Sequence, residues 1–308
     1  MLKNEKVVLI GGAHVDIVGT PLKNVDYNSK NHGTVRINPG GVAFNIAVNL
    51  TKLDVDVSLI SVLCNDVRGK IIKSSCENND ISIDESLFLE KSTTPSFMCI
   101  TNAEGEIKSA ISDTGLYEKI EPSFLKDKLR FINSNTICVL DGNLSKAAIE
   151  YLVKNVEVPV FIDPVSVDHC SKVMDSIGYA NTIKPNKIEA ETLSNISIKN
   201  SEDIEIASEY FLKKGVHQVF ISLDEDGVFF ADKRSRGFIK YLPETIKNTN
   251  GAGDAMTAGL VYGYLKGLSI EQTAKFSVAI ACANLETYDT VNENLDIEKA
   301  NNILEKIK

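Results

Sequence analysis

Asn248-Thr249-Asn250-Gly251-Ala252-Gly253-Asp254 runs directly into Ala255-Met256-Thr257-Ala258-Gly259-Leu260, and the reading of this stretch decides how the rest of the chain is organised. Two glycines around an alanine let the backbone turn tightly and gather several N–H groups at one point. Ala255, Gly259 and Gly263 recur every fourth residue, which predicts a closely packed helix after the turn. A helix starting at residues 251–254 aims unpaired N–H groups and the positive end of its dipole at the loop, an arrangement that suits phosphate. Asp254 in the same place is electrostatically odd unless it has a task, such as taking the proton of an attacking hydroxyl. The competing reading is a turn whose acid merely caps the helix. As a surface loop charge, Asp254 is expected to leave stability nearly unchanged when removed.

The 308 residues suffice for one large α/β domain or two small ones, with a sizeable core. Hydrophobic residues make up 43% and charged residues 24%, the balance of a globular protein in water. A net charge of −9 without a long Lys/Arg cluster argues against nucleic acid or an anionic membrane as main partner. Residues 7–10 are apolar but strand-sized, far short of a signal core or a membrane span. Six cysteines lie scattered with no C-x-x-C, as expected of reduced thiols in a cytoplasmic protein. The four histidines show no ligand spacing, so no structural zinc is expected.

The strand at 7–10 ends in Gly11-Gly12, with His14 and Asp16 just beyond it. Carboxyl ends of strands face the ligand crevice in open α/β sheets, which makes Asp16 either a ligand for substrate hydroxyls or a solvated loop acid. Asn38-Pro39-Gly40-Gly41-Val42-Ala43-Phe44-Asn45 then leads into a helix with Ile46, Leu50 and Leu53 on one face. Gly41 admits a close ligand, and Asn45 offers both a donor and an acceptor; a loop–helix junction with Asn45 paired to backbone is the alternative. A buried strand at 57–63 and a helix at 67–76 follow. Residues 96–100 and 107–111 flank a turn-forming stretch at 102–105 and predict a hairpin. With residues 34–37 they form either a small sheet covering a site or edge strands of the main sheet.

From residue 136 the rhythm is regular: strands at 136–140, 158–162, 181–183 and 218–223 alternate with helices, which argues a parallel sheet between two helix layers. Asn186 and Glu189 share a helix face, where they suit magnesium through water, or else cap the helix. Residues 228–231 and 237–242 read as a strand pair, and 269–286 as a helix of small residues. The last helix, with Ile297, Ala300, Leu304 and Ile307 on one face, is expected to dock. The absence of G-x-x-x-x-G-K-[ST] and of H-R-D argues against P-loop and protein-kinase chemistry.

Gly40-Gly41-x-x-x-Asn45, Lys184-Pro185-Asn186-x-x-Glu189 and Thr249-x-Gly251-Ala252-Gly253-Asp254, in this order, resemble the ribokinase-like (PfkB) family of carbohydrate and nucleoside kinases, from Val7 onward. The resemblance implies an α/β three-layer sandwich with a central, mostly parallel sheet. A small β lid, often used for dimerisation, would come from about 16–38 and 94–113 of a single domain spanning 1–308. It implies Asp254 as catalytic base and the N–H groups of Gly251, Ala252 and Gly253 as anion hole. His14, Asp16, Gly41 and Asn45 would hold a nucleoside or sugar, with Ser112 and Asn143 as further polar contacts and Phe44 as an apolar face for a base. Asn186 and Glu189 would serve magnesium. Asn186, Ser222, Asp224, Gly227, Gly251, Gly253, Ala283 and Asn284 would serve ATP, and a monovalent cation such as K+ stays open.

Within the family, Gly11-Gly12-Ala13-His14-Val15-Asp16, Pro39-Gly40-Gly41-Val42, Ile162-Asp163-Pro164-Val165-Ser166 and Leu285-Glu286-Thr287 followed by Thr290-Val291-Asn292 look like pseudouridine kinases. Four positions depart: His14 for Asn, Phe44 for a basic residue, Asn248 for Asp and Asp224 for glycine. The first two bear on substrate and the last two on the nucleotide. The expected activity is ATP-dependent phosphorylation of pseudouridine to its 5′-phosphate. The alternatives are a kinase for ribose, fructose or an adenosine-like nucleoside, and a ligand sensor of the same fold without turnover.

Overall fold

Val7-Val8-Leu9-Ile10 shows no polar alternation because its strand is covered on both faces. In the computed structural model, which describes residues 5–23, 25–26, 28–102 and 106–307, Val7 and Leu9 enter one core while Val8 and Ile10 enter another. The elements run in order as β1 (Lys6–Ile10), β2 (His14–Pro21), β3 (Gly33–Gly40), α1 (Val42–Thr51), β4 (Asp56–Ile60), β5 (Val62–Cys64), α2 (Val67–Asn78) and β6 (Leu87–Leu89). There follow β7 (Ser96–Thr101), β8 (Ile107–Asp113), α3 (Pro122–Ile132), β9 (Ile137–Asp141), α4 (Lys146–Asn155), β10 (Val160–Asp163), α5 (Cys170–Val173), β11 (Thr182–Ile183) and α6 (Lys187–Ser194). The chain continues through α7 (Ser201–Lys214), β12 (Gln218–Ser222), β13 (Val228–Ala231), β14 (Arg236–Ile239), α8 (Ala252–Leu265), α9 (Ile270–Leu285) and α10 (Ile297–Leu304).

The main sheet has the order β14-β13-β12-β11-β10-β9-β1-β4. Its pairs from β12 to β4 are parallel, while β13 and β14 add on antiparallel. Residues of α1, α2, α8, α9 and α10 fill the core on one face, and residues of α3 to α7 the core on the other. This is the expected three-layer α/β sandwich. The fourfold spacing of small residues in α8 has a packing cause: a Cβ on Gly259 would lie 2.5 Å from Ser277 Cα of α9. Only glycine lets the two backbones approach so closely. The tail docks as expected, with Ala300 and Ile307 buried and Asp296 capping α10 by accepting from the Lys299 N–H.

Strands β3-β2-β7-β8 form a second, four-stranded sheet apart from the first, so the edge-strand alternative is set aside. Their body-side ends lie together: His14 pairs with Gly40, Val15 with Ser96, and Ser96 with Asp113. Residues 103–105 of the expected hairpin turn lie outside the described residues. The strand expected at 57–63 is two, because it breaks at Ser61. There the Ser61 N–H donates to Ser86 Oγ and its hydroxyl donates to the Gly11 carbonyl. Beyond the break, β5 pairs with β6 in a two-stranded sheet that no motif announced. Among the described residues no helix is long and apolar enough to cross a membrane.

Candidate active site

Helix α8 starts at the carboxyl edge of the main sheet, where parallel strands open a crevice. Its N-cap Gly251 has φ +78°, and a Cβ there would run into the Thr290 carbonyl oxygen, so both conformation and space call for glycine. The Ala252 N–H turns back to the Thr249 carbonyl at 3.4 Å. Among the described residues no hydrogen bond takes up the N–H groups of Gly251, Gly253 or Asp254. The helix therefore presents free donors at its positive end.

Asp254 stands in that first turn, and its Oδ2 accepts a 2.8 Å hydrogen bond from Asn45 Nδ2 of α1. The plain backbone-paired reading of Asn45 is thus corrected: its amide reaches across to Asp254. Its own Oδ1 is buried and has no partner among the described residues, an acceptor aimed at an O–H or N–H still to arrive. Burial first, then the nearby charge of Asp163, push the Asp254 carboxyl up to about 7, against the Asn45 amide and Lys184, which pull it down. Asp254 is therefore not a surface loop charge whose removal leaves stability untouched. Its carboxyl is held near neutrality, where a proton acceptor works best.

Beneath it, the ends of successive strands carry charged side chains. Asp141 ends β9 and Asp163 ends β10, directly opposite each other in register, and Lys184 follows β11. Asp141 is fully buried and accepts from the N–H groups of Gly12 (2.8 Å), Ala43 (3.0 Å) and Asn143 (2.9 Å). It ties the loops after β1, β3 and β9 together. Burial lifts its carboxyl above the usual range while these donors hold it down. Asp163 accepts from the Thr257 hydroxyl at 2.8 Å and sits 3.4 Å from the Lys184 ammonium. Lys184 is 6% exposed, and its Nζ lies 3.6 Å from where a Cβ on Gly253 would be. Burial pulls this ammonium's pKa down, but Asp163, Glu189 and Asp254 outweigh it and raise it overall. None of these three residues was a sequence candidate. The signal was present twice: an apolar run closed by Asp and a turn residue, in Val139-Leu140-Asp141-Gly142 and Phe161-Ile162-Asp163-Pro164.

Asn186 and Glu189 form a reciprocal capping box on α6. Asn186 Oδ1 accepts the Glu189 N–H at 2.9 Å, and Glu189 Oε2 accepts the Asn186 N–H at 2.8 Å. The capping reading therefore holds in geometry. Glu189 is nevertheless buried, with its carboxyl raised by burial and by Asp163, and its Oε1 accepts nothing among the described residues. No group of three or more His, Cys, Asp or Glu capable of caging a metal occurs among the described residues. The remaining Glu189 oxygen is a hard donor that fits magnesium, an ion that keeps waters and takes other ligands from phosphates.

Ser222, Asp224 and Gly227 line the loop after β12, bridged to Asn186 through Ser222. Asp224 has φ +50° and Gly227 φ +86°. Ala283 and Asn284 are placed otherwise than expected. Ala283 has no exposed surface. The Asn284 amide donates to the carbonyls of Asn250 and Thr290 and accepts the Asn292 N–H. As these residues stand they brace the loop behind Gly251 and offer nucleotide no surface. Asn248, the departure from Asp, donates to the Tyr288 carbonyl in the same bracing.

On the small sheet, Asp16 and His14 begin β2 and are not loop residues. His14 Nε2 lies 3.2 Å from Asp16 Oδ1, and His14 Nδ1 lies 3.1 Å from the buried Tyr117 hydroxyl. Gly40 opposite has no side chain to displace the Asp16 carboxylate. Gly41, with φ +104°, brings its backbone against the Gly12 carbonyl. Ser112 lies exposed on β8, paired with Phe97, which in turn pairs with Asp16 across the sheet. Asn143 is buried, its N–H held by Asp141. Phe44 is 2% exposed and belongs to the larger core, so it cannot offer a full face to a flat base. It forms one wall of a cavity of about 520 Å³ shared with Asn38, Asn45, Val48, Asn79 and Val291.

Comparison with known proteins finds relatives among carbohydrate and nucleoside kinases. The family described as pfkB family carbohydrate kinase matches residues 4–297. The pseudouridine kinase of Escherichia coli K12 is 31% identical over 99% of this chain and 98% of its own. The guanosine-inosine kinase of Exiguobacterium acetylicum is 26% identical over 90% and 93%. The structure of Arabidopsis thaliana ribokinase complexed with ribose and ATP superposes with a TM-score of 0.86 at 21% identity, covering 98% of this chain and 99% of that one. The chain belongs to the PfkB family of carbohydrate kinases and has the ribokinase-like fold.

Proposed function

We propose that the protein transfers the γ-phosphoryl group of ATP to a primary hydroxyl of a ribose-like group, with pseudouridine as acceptor and pseudouridine 5′-phosphate as product. The observation that carries this reading is Asp254, near neutral in proton affinity, within the free-donor turn of α8 and hydrogen-bonded to Asn45. In the proposed reaction the acceptor O–H gives its proton to the Asp254 carboxylate. Its oxygen forms the new bond to the γ-phosphorus as the bond to the ADP oxygen breaks. The N–H groups of Gly251 and Gly253, with the Lys184 ammonium behind them, face the charge carried by the transferring group. Glu189 Oε1 would hold magnesium directly or through water, and the ion would supply neutralisation of phosphate charge. Asp16 and Asn45 supply partners for sugar hydroxyls, and the small sheet closes over them as a lid. Its exposed apolar residues Val35, Ile37, Ile100 and Ile111 are proposed as a homodimer contact, tested by light scattering.

An ATP-consumption screen over pseudouridine, uridine, other nucleosides, ribose and fructose tests the reading. Pseudouridine is expected to exceed uridine, and both to exceed ribose, in kcat/KM. A site that pairs the extra ring N–H of pseudouridine rejects uridine by up to about 10⁴. A win for ribose or fructose leaves a kinase with a different acceptor. Binding of an acceptor without turnover would mark a sensor.

A further inference from the structure

Asp163 contacts three parts of the fold, and the chemistry above assigns it nothing. Its Oδ1 accepts the Val165 N–H at 3.0 Å, and its Oδ2 takes the Thr257 hydroxyl and faces Lys184 Nζ. Thr257 is buried one turn beyond Asp254 on α8, and Lys184 belongs to the segment leading into α6. One carboxylate thus joins the ammonium under the anion pocket to the helix that carries the base.

The turn that aims this carboxylate is strained. Val165 has φ +73°, a left-handed conformation that a β-branched side chain strongly disfavours and that persists only where the surroundings impose it. The Val165 N–H locked onto Asp163 Oδ1 is one such constraint. The Gly142 N–H bonded to the Asp163 carbonyl at 2.9 Å is another.

We propose that Asp163 is a positioning residue that clamps the Lys184 ammonium and the first turns of α8 into one unit, so that cation and base keep a fixed relation during phosphoryl transfer. The inference rests on the kinase reading. Asp163 reaches the reaction only through Lys184 and Thr257. Its removal therefore changes turnover and the proton affinity of Asp254 and leaves acceptor binding alone. The charged groups facing Asp254 are Asp163 and Asp141, which raise its proton affinity, and Lys184, which lowers it.

The test is Asp163→Asn, which keeps size and one acceptor but loses the charge. Expected are a fall in kcat of about 10–10²-fold, an acceptor KM within about threefold of wild type, and an acidic limb of the kcat/KM profile moved to lower pH. The magnesium concentration for half-maximal rate stays the same. Wild-type kcat with an unmoved limb overturns the clamp, and so does a raised magnesium requirement, which would make Asp163 a metal ligand. If Asp163→Asn does not fold, Thr257→Val decides: a lowered kcat at constant KM supports the clamp, and wild-type kcat overturns it. Thermal denaturation reads the clamp without any turnover. The double variant Asp163→Asn/Thr257→Val is expected to be no less stable than the weaker single one, whereas additive losses overturn the proposal. A wild-type protein that phosphorylates no acceptor sinks the kinase reading and leaves the denaturation result standing.

Discussion

The first turn of α8 and the four-stranded sheet are built by opposite means. The groups that set the Asp254 carboxyl come from far along the chain: Asn45 from α1, Lys184 after β11, Asp163 at the end of β10 and Asp141 at the end of β9. Burial there strengthens each charge effect and leaves little freedom to move. The small sheet has polar groups near its body-side ends, and every residue of β8 is exposed. On the proposed reading this is a division of labour, with group transfer assigned to the charge cluster under α8 and acceptor choice to the small sheet.

The sharpest way to break that division is Asp254→Asn. Turnover is expected to fall by about 10²–10⁴, and turnover within threefold of wild type would leave Asp254 a cap. Its stability should move the other way. The folded carboxyl, near 7, binds its proton more tightly than an ordinary carboxyl near 3.8, so the native state holds more protons than the unfolded one between these values. Wild-type stability then falls as pH rises through this window. The Asn variant should melt a few degrees higher at pH 8 and show no such gain near pH 4. A lower melting temperature at pH 8 would contradict this picture.

Asp16→Ala probes the other side. It is expected to raise the acceptor KM by about 10–10²-fold while the KM for ATP stays put; equal effects on both would erase the boundary between the regions. The pH profile sharpens the comparison further. The kcat/KM of the free enzyme should rise with pH through about 7 as Asp254 loses its proton, and a profile flat from pH 5.5 to 8.5 would remove Asp254 as the titrating base. Glu189→Gln asks whether the capping box also serves the metal. A severalfold higher magnesium requirement at an unchanged melting temperature supports a metal role, and the reverse pattern supports capping alone. The smallest signal is amide exchange in β3, β7 and β8. Saturating acceptor should slow it, and equal exchange with and without acceptor would make the sheet a rigid wall.

Local chemistry was legible in the sequence. The glycine turn before α8, the alternation of strands and helices, and the separate strands at 34–37 and 96–111 all depend on neighbours within a few residues. Asp163 and Lys184 could not be read that way, because their meaning comes from β10, β11 and α8 meeting in space. Asn284 and Phe44 were misjudged for a related reason: their residue types suit a ligand surface, but packing turned both inward. Asn186 and Glu189 were ambiguous by nature, since a capping box and a metal-facing pair use the same spacing.

The four strands of the small sheet are rooted side by side at His14, Gly40, Ser96 and Asp113, and their far ends are Pro21, Gly33, Thr101 and Ile107. Mechanically this is a plate clamped along one edge. If the sheet moves as the proposed lid, a load at its free edge bends it at the root. Added length at the far ends therefore lengthens the lever while the clamped edge keeps its register. On the proposed lid reading, length added at the tips leaves the clamp at Asp163 and the turn at Gly251 untouched, so the far ends are where the sheet can vary most freely.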